Sequence, residues 1–95
     1  MAIQTKGEFD IQMGDLLLQV DRLLEERSRD APLQVARRTL GQIAHRLKRG
    51  EKLDPKERQS FAGVLETVHK AAGGDEAMQD RLADLEDWID ANAKK

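Results

Sequence analysis

The sequence predicts an all-α protein, an antiparallel four-helix bundle of the up-down-up-down kind, and three observations carry that prediction. Apolar residues recur at three-and-four spacing along four separate segments, the period that gathers side chains on one side of an α-helix. Each segment is bounded by helix-start or helix-stop chemistry, with Asp30, Asp54 and Asp75 ahead of segments and Gly50 and Gly73-Gly74 behind them. No strand-like alternation, internal repeat or low-complexity tract competes with this reading. Helices are expected over 8–27, 31–49, 55–72 and 75–92, within a single domain spanning 8–95 and behind a flexible tail of residues 1–7.

The first segment has two candidate starts, a capping box from Thr5 to Glu8 or a later start at Asp15 behind Gly14. In either case Phe9, Met13, Leu16, Leu17, Val20, Leu23 and Leu24 trace one broad face. Ile11 and Leu18 project from nearly the opposite side at about 100° per residue. Three consecutive leucines, Leu16 to Leu18, are costly to leave in water, so Leu18 is a candidate seam for a partner or a second copy. Against this stands a bland reading in which the helix is central and half-surrounded, or Ile11 is an ordinary exposed aliphatic.

The second segment places Leu33, Ala36, Leu40, Ile43, Ala44 and Leu47 on one stripe. Pro32 suits its first turn, and Gly50 supplies the left-handed residue that closes it. The restart is the clearest local signal in the chain: Asp54 as N-cap, Pro55 at the first helical position, and Glu57 to complete a capping box. Phe61, Val64, Leu65, Val68 and Ala72 then form the third stripe. The short connection folds the second and third helices back on one another. The fourth helix aligns Met78, Leu82, Leu85, Trp88 and Ile89, and its other sides carry Asp80, Asp84, Glu86, Asp87 and Asp90; Lys94 and Lys95 suit its carboxyl end. Trp88 sits at the edge of its stripe and reads as a core-rim residue rather than a binding anchor. A three-helix core with the first helix lent to, or packed on, a neighbouring copy is the competing architecture.

At 95 residues the chain supports one modest core, with 3% aromatic residues and no cysteine. The absence of cysteine excludes disulfides, thiolate metal sites and a cysteine nucleophile, and the low aromatic content weakens any reading built on stacking platforms or aromatic cages. No apolar run reaches membrane-spanning length, and the first residues lack the layout of a secretory signal, so a cytoplasmic protein with no membrane partner is expected. The net charge of −2 conceals segregation, because the basic residues concentrate between 29 and 58 while both flanking stretches are acidic.

Reactive chemistry is sparse. His45 and His69 sit at opposite poles of an antiparallel hairpin, too far apart for one metal ion, and neither belongs to an HExxH pattern. Asp80, Asp84 and Asp87 share a helical face, but one turned from the apolar stripe, which reads as solvated rather than as a cation or acid-base site. No catalytic residue, cofactor or metal site is assigned. The candidate basic binding stripe is Arg38, Gln42, His45 and Arg49 at i, i+4, i+7 and i+11, with Arg46 beside it. The candidate partner interface combines Ile11 and Leu18 with the low-relief pair Ala62 and Gly63. The expected function is that of a non-enzymatic adaptor, regulator or assembly subunit that binds protein and self-associates. The alternative is phosphate binding on nucleic acid through the basic stripe, which the acidic fourth segment and the overall negative charge disfavour.

Overall fold

A computed structural model describes residues 3–93, and these form a bundle of four helices: α1 (Lys6–Glu26), α2 (Ala31–Lys48), α3 (Pro55–Ala71) and α4 (Glu76–Asn92). No strand forms among the described residues. α1 packs on α2 and α4, and α3 packs on the same two helices, so the four close into a ring in chain order.

Local chemistry sets each helix end. Thr5 Oγ1 accepts the Glu8 N–H at 3.1 Å, while the Glu8 carboxylate accepts the Gln4 N–H at 3.3 Å. This selects the earlier of the two candidate starts, and α1 begins at Lys6 rather than at residue 8. Ahead of the helix, Ile3 packs against the core, and Met1 and Ala2 lie outside the described residues. Asp30 caps α2 through the Leu33 N–H. Gly50, at φ 84°, closes α2 by a left-handed turn in which the Glu51 N–H reaches the Arg46 carbonyl. The capping box at α3 is complete, with Asp54 Oδ1 accepting from Glu57 N at 2.7 Å and Glu57 Oε1 from Asp54 N at 3.1 Å. α4 begins one residue later than expected, with Asp75 as its cap, and the lysines expected to face its carboxyl end lie outside the described residues.

The core contains no buried polar or charged residue among those described. It is built from Phe9, Met13, Leu16 and Val20 of α1, the α2 stripe from Leu33 to Leu47, Phe61 to Ala71 of α3, and Met78 to Ile89 of α4. Leu17, Leu23 and Leu24 pack half-buried at its edge. Ala71 carries the last buried position of α3, whereas Ala72 is the C-cap of that helix and packs half-buried beside it. Leu53 was absent from the sequence-derived core. It is fully buried in the α2–α3 connection, and its N–H donates to the Ala93 carbonyl at 2.7 Å, tying that connection to the end of α4.

Polar ties between helices lie at the rim. Lys6 Nζ donates to the Lys48 carbonyl, and Arg37 Nε meets Asp21 at 2.7 Å. Arg58 meets Asp90 at 2.8 Å, and Arg81 donates to Gln19 at 2.8 Å. No helix among the described residues is long and apolar enough to cross a membrane.

Candidate interaction surfaces

The outer face of α1 carries two of the three large hydrophobic side chains that stand exposed among the described residues. Phe9, Met13, Leu16 and Val20 turn inward, which leaves Ile11 65% exposed and Leu18 59% exposed on the far side. They stand seven residues apart, two helical turns, with Gly14 between them on the same face. A Cβ added at Gly14 would meet nothing within 4 Å, so this face has a low point between two apolar projections.

The other two candidate interface residues do not join this face. Ala62 lines a groove between α3 and α4 with His69 and Glu86, whereas Gly63 lines the groove between α2 and α3 with Val35 and Thr39. The four residues therefore occupy three different surfaces. Val35, 61% exposed, is a further apolar surface position, on α2. Its signal was available, since it falls outside the Leu33–Leu47 stripe while sharing the sector of Gln42.

Along α2, Arg38, Gln42, His45 and Arg49 are exposed and continuous, as their spacing requires. Arg46 differs. It is half-buried and ion-paired to Glu51 and to Glu57, the residue that completes the α3 capping box. Glu51 of the connection and Glu57 of α3 thus engage Arg46 beside the stripe, and Arg49 lies 3.7 Å from Glu51. Arg37 is likewise engaged by Asp21. Gly41 has a role here: a Cβ at that position would stand 2.8 Å from Arg37 Nη1, so glycine leaves the guanidinium its route to α1.

His45 lies in the groove between α1 and α2, while His69 lies in that between α3 and α4, so the two imidazoles open onto different surfaces. His69 is half-buried and its Nδ1 has no hydrogen-bond partner. Across the same groove, burial pushes the Glu86 carboxyl above its ordinary value of 4.5, and the neighbouring charges of Asp90 and Asp87 add to the effect. No group of three or more His, Asp or Glu side chains among the described residues is arranged to hold a metal ion. Trp88 stacks on Phe9 with ring centroids 4.1 Å apart and planes 15° from parallel, which fastens α4 to α1.

Comparison with protein families, with curated proteins and with solved structures finds no match to this chain.

Proposed function

We propose that this protein is a non-enzymatic helical bundle that acts by binding protein, and first another copy of itself, through the outer face of α1. The observation that carries the reading is the pair Ile11 and Leu18, both well over half exposed and one heptad apart on a helix whose opposite side is fully committed to the core. Large aliphatic side chains in that register are the knobs of a helix-helix seam, and Gly14 offers the recess between them. In this reading the chain runs up-down-up-down. The ties Lys6 to Lys48, Asp21 to Arg37, Gln19 to Arg81 and Arg58 to Asp90 each join levels that such a course brings together. α1 already fills the core of its own chain with Phe9, Met13, Leu16 and Val20, which supports association through the surface rather than by exchange of the helix.

Sedimentation equilibrium over a wide concentration range, on the wild type and on Leu18→Glu, tests the reading. A concentration-dependent oligomer that Leu18→Glu converts to a folded monomer is the expected result. A wild-type monomer throughout would sink it. Phosphate binding by α2 has weaker support, because Arg46 is occupied by Glu51 and Glu57, which leaves Arg38, His45 and Arg49 as the outward groups. That alternative requires nucleic-acid binding that weakens with salt and on replacement of Arg38 and Arg49 by alanine.

A further inference from the structure

We infer that two copies associate through α1 on a two-fold axis parallel to the helices, so that α2 of each copy lies beside α4 of the other; this orientation rests on the self-association proposed above. Three placements lead to it. α1 stands between α2 and α4 in the ring, so any dimer formed through its outer face has α2 on one flank and α4 on the other. The flanks differ in charge: α2 exposes Arg38 and Lys48, its Arg37 and Arg46 being already ion-paired to Asp21, Glu51 and Glu57, whereas α4 exposes Asp80 and Asp87. The groove on the α2 side is lined by His45 and Lys48 together with Asp10, and that on the α4 side by Asp80 and Asp84 together with Arg81.

Symmetry then leaves two choices for an isologous contact. With the axis parallel to the helices, Ile11 faces Ile11, Leu18 faces Leu18, and each basic flank meets an acidic one. With the axis perpendicular to them, α1 runs antiparallel to its mate and Ile11 faces Leu18. Basic α2 then lies toward basic α2, and acidic α4 toward acidic α4. Opposite flanks attract and like flanks repel, which is the means by which flanking charges set orientation in paired helices.

The levels of the charges agree with the first choice. Arg37 is tied to Asp21 and Arg81 to Gln19, so the next residues outward, Arg38 and Asp80, sit near one level of α1. Lys48 is tied to Lys6 and Trp88 stacks on Phe9, which brings His45 and Asp87 near a second common level. The spacing from 38 to 45 equals that from 80 to 87, so a parallel dimer opposes the two stripes in register along about 10 Å of helix. The same arrangement sets Asp15, which lies between Ile11 and Leu18 on this face, toward Asp15, and Glu25 toward Glu25, where Arg22 one turn earlier supplies a compensating charge.

The chain has no cysteine, so single-cysteine variants give an unambiguous reading of orientation. Ile11→Cys and Leu18→Cys are each oxidised alone, and also mixed with one carrying a tag of distinct mass, with Lys56→Cys on α3 as the collision control. Wild-type association is followed in parallel by sedimentation at low and high salt. The inference expects each seam variant to cross-link to its own kind, Ile11→Cys to Ile11→Cys and Leu18→Cys to Leu18→Cys. These disulfides should form roughly tenfold or more faster than in the control, since a seam raises the effective thiol concentration. It also expects association that weakens with salt. A dimer that instead yields mainly the mixed cross-link, one Ile11→Cys chain bonded to one Leu18→Cys chain, overturns the parallel orientation and leaves self-association standing. A dimer indifferent to salt overturns its electrostatic basis. A monomer at every concentration removes both the orientation and the reading beneath it.

Discussion

Leu53 is held by residues far from it in sequence. It sits in a six-residue connection, outside any periodic stripe, yet its side chain is fully buried and its N–H is bound by Ala93. Truncation to alanine leaves a void that the rigid ends of α2, α3 and α4 cannot collapse into, so Leu53→Ala is expected to cost about 2–5 kcal/mol in urea unfolding. A loss within ~0.5 kcal/mol, the scale of an ordinary surface change, would mean that the connection is not part of the core. Glu86 represents the opposite case, a charge placed where it is disfavoured. Its carboxyl titrates above 4.5 because of burial first and then Asp90 and Asp87, with Glu66 and His69 facing the same groove from α3. A raised folded-state pKa means that the contribution is fully present below the unfolded value and is lost as pH rises through the folded one. Glu86→Gln should therefore raise the melting temperature at pH 7, and the difference should shrink toward zero as pH falls below about 4.5. Equal melting temperatures at pH 7 would show that the ionised carboxylate carries no penalty there. Neither residue was legible in the sequence, because the environment of each comes from an element elsewhere in the chain.

At the scale of elements, helix ends and stripes were readable because their causes are local. The Asp54, Pro55 and Glu57 signature folds into the capping box that it specifies, and Gly50 takes the positive φ expected of it. Interrupting glycines were visible as oddities, but their reasons were not. Gly41 clears a path for Arg37, a contact that depends on how α2 docks against α1. Gly14 and Gly63 face open space, so alanine fits at both, and each replacement should stabilise the fold by up to about 1 kcal/mol through helix propensity. The two substitutions diverge in their effect on association. Gly14→Ala fills the recess between Ile11 and Leu18, and it should weaken self-association while strengthening the monomer; Gly63→Ala, on α3 and away from the seam, should strengthen the fold alone. Chemical denaturation at low concentration paired with sedimentation separates the two effects. Unaltered association in Gly14→Ala would move the contact away from that part of α1.

At the scale of the whole molecule, the candidate site is a relation between helices. The sequence exposes the leucine-rich first segment, the basic second and the acidic fourth. The ring closed by the contacts of α1 and α3 with α4 places the basic and acidic helices on either side of the apolar seam. Segment composition alone does not contain that adjacency, which depends on tertiary packing such as Trp88 on Phe9 and Arg81 on Gln19. Charge reversal tests whether the adjacency matters. In the proposed parallel dimer, Arg38→Glu places an acid on the flank turned toward α4 of the second copy, so association should fall several-fold at low ionic strength and much less at about 0.3 M, where the screening length is near 5–6 Å. Adding Asp80→Arg to the same chain restores the opposite signs at that level of both flanks, and it should recover most of the loss. Both sites are exposed, so folding itself should change little, and helical content with melting temperature provides the check. Recovery in the double variant would show that the two positions act on one another across the subunit boundary, because α2 and α4 occupy opposite corners of a single ring. Two independent losses that simply add would instead assign each side chain its own separate partner.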